Sequence, residues 1–299
     1  MQAIQFRRYG GPEELEWAEA PDPHAGPGQV RIAVRAASVN PIDWKVLSGA
    51  LAAGAELDGP GYLGYDAAGV VDEVGDGVTG VAVGDDLFGR GVGTQAEYAV
   101  LSSWADKPAS VDWAVAAAAG VAGETAERGL RLLGVAAGDT VYVDGGAGGV
   151  GAAVVQLATA LGARVIASAG EGNQDYLREL GAVPVLYGEG VADRVREAAG
   201  GPVDAVYDVA GKTPIEDLVG LVSTPSQVVT IANYGASAAG ARLTGGDDSR
   251  GSAALAEVAD LLAENKLVIK IQTFPFDRAR EAYGISLSGH VRGKLVLVP

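Results

Sequence analysis

The chain contains no cysteine. That excludes disulfides, thiolate zinc centres, iron–sulfur clusters and a cysteine nucleophile. Positive charge is scarce: 22 Lys and Arg stand against 38 Asp and Glu, a formal net charge of −16. A surface that acidic repels phosphate backbones and anionic headgroups, which argues against nucleic-acid and membrane-surface roles. No stretch of about 18 residues is apolar and free of charge, so no membrane span is expected. The opening residues Met1 to Arg7 lack the apolar run and small-residue cleavage site of a signal peptide. Low-complexity tails and fixed-period repeats are also missing. What remains is 299 residues, 48% hydrophobic and 20% charged. Such a composition buries a substantial core and excludes disorder, coiled coil and collagen-like repeats. At roughly 150 residues per domain, two domains are expected in a soluble, cytoplasmic protein.

The first third reads as β-rich. Val30, Ile32, Val34 and Ala36 alternate with Arg31, Ala33 and Arg35, the period of a half-buried strand. A second apolar run covers 69–74, with turn signals at Gly75-Asp76-Gly77 and Gly84-Asp85-Asp86. Helical periodicity is weak here. The middle changes rhythm, with strands expected at 140–143, 164–169, 184–187, 204–209 and 227–232. Helices are expected between them at 150–161, 174–180, 191–199 and 214–222. In the first of these helices Val150, Ala153, Val154, Leu157, Ala158 and Leu161 form one apolar stripe, and Gly162 can end it. Repeated βα units predict a doubly wound parallel sheet with helices on both faces. Beyond it, 252–264 reads as an amphipathic helix, 267–271 as a strand, 277–282 as helical and 294–298 as a closing strand.

One motif carries chemistry. The strand ending at Val143 and Asp144 runs into Gly145-Gly146-Ala147-Gly148-Gly149-Val150-Gly151, and the periodic helix follows at once. A Gly-x-Gly-x-x-Gly loop in that context binds a dinucleotide. Glycines allow the tight turn, the close approach of backbone to pyrophosphate and the helix–strand contact, and the helix N-terminus faces the phosphates. In NAD-specific sheets an acid near the end of the second strand, about 20 residues on, holds the ribose 2′-hydroxyl. Here Ala169 stands near that place and the first acid is Glu171. The lack of repulsion favours NADPH, with Ser168, Asn173 and Tyr187 as neutral partners of its 2′-phosphate and Arg292 or Lys294 as possible cations.

These pieces, taken in order, resemble the medium-chain dehydrogenase/reductase superfamily, in its zinc-free quinone oxidoreductase-like branch. The resemblance rests on Val39-Asn40-Pro41-Ile42-Asp43, 64–71, 74–78, 83–89, Thr125-Ala126, the glycine loop, Leu180-Gly181-Ala182 and 290–297. It implies an α/β architecture: a GroES-like β-rich catalytic domain over 1–120, a Rossmann NADP-binding domain over 121–249, and a return segment, 250–299, completing the first. Zinc alcohol dehydrogenases of this superfamily place a catalytic Cys and a His-Glu pair where this chain has 38–43 and Gly64-Tyr65-Asp66. They also carry a four-cysteine lobe that is missing here. With only His24 and His290 available, no metal is expected.

Without zinc as a Lewis acid, simple alcohol oxidation is disfavoured, and hydride transfer from NADPH to a quinone or small conjugated enone is the expected reaction. The resemblance implies Asn40 as a donor near the nicotinamide and Thr125 beside it. Lys45 stands where quinone reductases often have a tyrosine, Tyr65 replaces a zinc ligand, and Asn233 joins the cofactor residues. Asp43 reads as a helix brace rather than an acid catalyst. Enoyl-thioester reductases put a proton-donating tyrosine at the position of Leu51, and leucine cannot do that work. That argues against the known acyl chemistry but not against the fold, and the alternatives are a biosynthetic enoyl or polyketide-type reductase and a non-catalytic NADPH-binding protein. The superfamily implies a homodimer whose partner is a small-molecule electron acceptor.

Overall fold

The structure, a computed structural model, describes residues 1–245 and 250–299. The chain divides into two compact units. One holds Met1–Val121, Arg250–Glu264 and Ile269–Pro299, and the other holds Ala122–Ser249 and Asn265–Val268. The last four residues of the expected 121–249 domain, 246–249, lie outside the described residues. The return segment is not all of one unit, as the sequence suggested. Asn265–Val268 belong to the second, where the Gln156 side chain hydrogen-bonds both the amide and the carbonyl of Val268.

The chain begins with β1 (Gln2–Phe6), β2 (Glu16–Glu19), β3 (Val30–Val39), helix α1 (Pro41–Leu47), β4 (Gly61–Tyr62), β5 (Asp66–Val74), β6 (Asp86–Gly91) and β7 (Tyr98–Asp106). The alternation read at 30–36 is real: Val30, Ile32, Val34 and Ala36 are buried on one face of β3. Strand β3 then stays buried to Val39 because it is central, flanked by the strand at 66–74 and, over Ala37–Val39, by the strand at 294–298. Helix α1 follows at once, with Pro41 pre-set for its first turn.

Helix α2 (Trp113–Leu133) spans 21 residues and went unread in the sequence. Its first half is almost all alanine and glycine, with Ala114, Ala116–Ala119 and Ala122 buried. No residue of 113–123 is polar, so that half has no polar face to set against the apolar one, and the charges at 124, 127, 128 and 131 come only in the second half.

The second unit contributes β8 (Thr140–Asp144), α3 (Gly149–Ala160), β9 (Arg164–Ala169), α4 (Gln174–Glu179), β10 (Val183–Leu186), α5 (Val191–Ala199), β11 (Ala205–Asp208), α6 (Ile215–Val219), β12 (Val228–Thr230) and β13 (Arg242–Leu243). The strands are parallel, in the order β10-β9-β8-β11-β12-β13. This is the expected doubly wound sheet, and the strand order reverses between β8 and β11. Ligands of such sheets bind beyond the carboxyl ends at that reversal.

The chain returns through α7 (Gly251–Ala263), β14 (Ile271–Pro275), α8 (Ala279–Leu287) and β15 (Lys294–Val298). Strand β15 runs antiparallel to β3, setting Val296 opposite Ser38, and β14 lies outside it. The strand expected at 267–271 instead starts at Ile271, because the main chain of Val268 is already claimed by Gln156. Among the described residues no helix is long and apolar enough to cross a membrane.

Candidate functional site

In the second unit, β8 ends at Asp144 and the chain turns through the glycine loop into α3. The three motif glycines have different duties. A Cβ on Gly146 would lie 2.7 Å from the Ala167 methyl, so this glycine lets the loop press on β9. A Cβ on Gly151 would lie 2.1 Å from the Gly145 carbonyl oxygen, so α3 meets the turn backbone to backbone. Gly148 is the exception. A Cβ there would meet nothing among the described residues closer than the Gly145 oxygen, at 3.8 Å. It faces open space at the N-cap of α3, with no side-chain cap and no acid in the first turn. The first-turn amides that a helix cannot satisfy internally are left to a ligand or water.

Ser168 does not serve a phosphate. It is fully buried, its hydroxyl donates to Asp144 Oδ1 at 2.6 Å, and it accepts the Gly145 amide at 3.1 Å. It braces the loop from β9. The Tyr142 hydroxyl donates to the same Asp144 oxygen, while Oδ2 is buried without a hydrogen-bond partner among the described residues. On the neighbouring strand Asp208 stands opposite Asp144. Burial pushes the Asp208 carboxyl up, against hydrogen bonds from Gly211, Thr230 and Ala210.

Two of the expected neutral donors, Asn173 and Tyr187, lie by Gly170 at the end of β9, the Asn173 amide donating to the Gly170 carbonyl at 2.9 Å. The Tyr187 amide reaches the Ala169 carbonyl at 3.3 Å, and its ring is 3.2 Å from where a Gly170 Cβ would be. Tyr187 is exposed, and Asn173 is half-buried at the start of α4 without capping it. Sequence reasoning missed Arg194. Its guanidinium reaches back to the carbonyls of Leu186, Tyr187 and Gly188, bringing a cation to the Tyr187 loop from α5. That contact is set by tertiary folding, and spacing along the chain gives no sign of it. Asn233 closes its own turn beyond β12, accepting the Gly235 amide and donating its main-chain amide to Thr230.

On α2, Thr125 is held from two sides. Its carbonyl accepts the Tyr207 hydroxyl at 2.6 Å, and its hydroxyl lies 3.4 Å from Arg128 Nη2. Glu124 is explained by the same arginine. It is fully buried and pairs with Arg128 one turn on, Oε1 to Nε at 2.8 Å, while Arg128 also bonds Thr244.

The first unit carries a buried polar cluster around the start of α1. Asn40 is 2% exposed. Both hydrogens of its amide are spent, on Ser38 Oγ at 3.2 Å and Asp66 Oδ1 at 2.8 Å, and its oxygen accepts from Lys294. The expectation of a free donor at Asn40 is therefore corrected: a buried amide needs every group satisfied, and this one is satisfied internally. Lys294 is corrected too, since it is buried beside Ser38, Asn40 and Asp66 and is not a surface cation. Arg292, two residues earlier, is exposed.

Asp43 behaves as the expected brace. Oδ2 accepts the Asn40 amide at 2.6 Å and Oδ1 the Gly64 amide at 3.0 Å. Complete burial, helped by Asp66, raises its carboxyl to about 7 against those two hydrogen bonds and Lys294. Tyr65 follows Gly64 and is half-buried. Burial and the Asp43 carboxylate hold its phenol above the usual range. Gly64 cannot be replaced, since a Cβ would lie 2.6 Å from the Gln95 amide nitrogen and φ is +102°. Lys45 sits on α1, half-buried, with its ammonium 5.8 Å from the Trp44 ring centre.

A zinc site does not fit these residues. Among the described residues no group of three or more His, Cys, Asp or Glu is placed to hold a metal. His24 lies at the surface against Glu73, and His290 is exposed. Around Asn40 the donor set is a hydroxyl, an amide and a carboxylate already sharing an ammonium.

Comparison with known proteins gives consistent matches. Residues 26–109 match the alcohol dehydrogenase GroES-like domain, and residues 180–297 the zinc-binding dehydrogenase domain. A chloroplast envelope quinone oxidoreductase homolog of Arabidopsis thaliana is 31% identical, over 100% of this chain and 98% of its own. A 2-methylene-furan-3-one reductase of Solanum lycopersicum is 31% identical, over 100% of this chain and 79% of its own. A solved mycobacterial protein complexed with NADPH superposes with a TM-score of 0.87 at 30% identity, covering all of both chains.

Proposed function

The chain belongs to the medium-chain dehydrogenase/reductase superfamily, in its quinone oxidoreductase-like branch, and on that premise we propose that it transfers a hydride from NADPH to a quinone or small conjugated enone. The observation that carries the reading is the division of labour in the glycine loop. Gly146 and Gly151 are filled by the fold, while Gly148 opens outward beside the unsatisfied first turn of α3. A pyrophosphate is the ligand that such a loop accepts without a positive side chain. The relatives' names, a quinone oxidoreductase homolog and an enone reductase, support the acceptor class.

NADPH supplies the hydride, and this chain's residues bind, orient and deliver the proton. Ala147, Gly148, Gly149 and Val150 present backbone to the pyrophosphate. Asn173 and Tyr187, with the Arg194 guanidinium near, take the 2′-phosphate at the end of β9, where no acid repels it. Thr125, fixed by Tyr207 and Arg128, is proposed beside the nicotinamide, with Asn233 and Arg292 as further cofactor contacts. When the hydride reaches the acceptor, negative charge builds on its oxygen. With no zinc donors to polarise that oxygen, a hydrogen-bond donor has to meet it. Tyr65 is the candidate we propose, a half-buried phenol next to Gly64 that, like any tyrosine, carries its proton at neutral pH. Lys45 is the second candidate, and Asn40 acts as a brace behind them. We further propose that the protein works as a homodimer.

The test is NADPH consumption against a panel of quinones and enones. Turnover is expected with at least one class. Tight nucleotide binding without turnover of any acceptor would replace this reading with that of a binding protein.

A further inference from the structure

The first unit buries two carboxylates, Asp43 and Asp66, both with no exposed surface. Burying one carboxylate is costly and burying two close together more so, unless cations or hydrogen bonds meet them. Backbone amides meet part of the need, from Asn40 and Gly64 to Asp43 and from Val121 to Asp66. The remaining charge is met by Lys294, itself 5% exposed and set at the first position of β15. Its ammonium donates to Ser38 Oγ at 2.9 Å and to Asn40 Oδ1, and it lies 3.9 Å from Asp66 Oδ2. Ser38 in turn donates to Asp66 Oδ1 at 2.5 Å. The hydroxyl therefore uses its one hydrogen and accepts from both Lys294 and Asn40, and none of its capacity is left over.

We propose that Lys294 is a positioning residue, a built-in cation that locks Ser38, Asn40 and Asp66 into one orientation and offsets the negative charge buried behind Tyr65. An ammonium held on a strand does here what a bound metal does in other buried oxygen clusters. It neutralises carboxylates and fixes the oxygens around one point. The lock reaches Tyr65 through the chain: Lys294 holds Asn40, the Asn40 amide holds Asp43, and Asp43 holds the amide of Gly64, next to Tyr65. The titratable groups facing this cluster are Asp43 from α1, Asp66 from β5, Tyr65 after β4 and Tyr283 from α8.

The charge makes the proposal separable from packing. Lys294→Met keeps most of the volume and removes the cation that holds the Asp43 carboxyl down, so Asp43 binds a proton more readily in the folded state. A carboxylate whose folded pKa rises gives up stability as pH increases. The variant should therefore melt on the order of 10 °C below the parent at pH 8, with the gap closing towards pH 5. Lys294→Arg should show a far smaller pH dependence of the gap. A gap that is the same at every pH would mean that the lysine only fills space, and would overturn the proposal. Should Lys294→Met not fold, the double variant Asp66→Asn, Lys294→Met decides, since removing both charges should recover a folded protein. A double variant as unstable as the single one would overturn the proposal as well.

The activity arm rests on the proposed reductase reading. With a naphthoquinone as acceptor, Lys294→Met should lose at least tenfold in kcat, with KM for NADPH unchanged and partial rescue by Lys294→Arg. Full kcat in a folded Lys294→Met variant would show that the lock does not serve Tyr65. A parent that turns over no acceptor would count against the reductase reading, while the melting series would still judge the lysine.

Discussion

Gly148→Val separates the ligand's needs from those of the fold. Residue 148 has φ −74° and ψ 174°, backbone that valine adopts without strain. With 3.8 Å to its nearest neighbour the new Cβ displaces nothing in the protein. Stability should change by no more than about 1 kcal/mol, a cap-position effect. The isopropyl group would instead occupy the side from which a pyrophosphate approaches. Hydrogen bonds to a charged oxygen contribute about 1.5–3 kcal/mol each. Losing one or two of them weakens NADPH binding by about 3 kcal/mol, roughly a hundredfold in Kd. Gly151→Ala is the control with the opposite pattern. Its methyl would sit 2.1 Å from the Gly145 oxygen and 2.8 Å from the Gly146 Cα, so the turn must move. Overpacking of that kind costs about 1–3 kcal/mol. Fluorescence titration with NADPH and a thermal melt on each variant give the answer. If Gly148→Val binds NADPH with the parent's Kd, the loop is not the nucleotide site. If it unfolds like Gly151→Ala, the open space at 148 has been misread.

Other outcomes follow from the same geometry. The carboxyl of Asp43 is raised in the folded chain to about 7, so the folded state binds the extra proton. Its contribution is full below about pH 4 and falls by about 4 kcal/mol as pH rises to 7. Asp43→Asn lacks that titration, so its deficit against the parent should shrink from pH 4.5 to 7.5 in denaturant melts. A constant deficit would contradict the burial argument. For the cofactor, NADPH should bind about tenfold to a hundredfold more tightly than NADH, about 1.4–2.8 kcal/mol. Ala169→Asp should reverse the order by setting a carboxylate against the 2′-phosphate, and a parent that prefers NADH would show that lacking the acid is not enough. Elemental analysis of purified protein should find no stoichiometric zinc, with turnover unchanged by a chelator; one tightly held zinc per chain would refute the donor-set argument.

Local chemistry was legible in the sequence, and long-range chemistry was not. The apolar stripe of α3, the stop at Gly162 with φ +87° and the limits of β9 and β15 all lie in short-range periodicity and turn residues. Helix α2 escaped because its first half, 113–123, holds no polar residue, and its charged positions begin only at Glu124. Ser168 looked like a surface donor at a strand end, yet its partner Asp144 is 24 positions away, on the adjacent strand. Lys294 was misjudged for the same reason. A lysine is seldom buried unless paired, and its partners at 38, 40 and 66 are visible only once β15 lies beside β3. The burial of Glu124 likewise depends on the fold, which buries it together with Arg128 one turn on.

The pairing of β15 with β3 also sets an order of events during synthesis. Residues 122–249 leave the ribosome as one continuous stretch holding every strand of the parallel sheet, so that sheet can assemble while later codons are still being read. The first unit is synthesised earlier and finishes later. Its central strand waits more than 250 residues for the neighbour that completes the sheet, a separation that makes closure slow by loop entropy. Until residue 294 emerges, Asp66 and Asp43 have no ammonium beside them, and the nascent first unit is denied a tightly packed early form. The last strand to be made thus brings both the missing hydrogen-bonding edge and the missing charge in a single step.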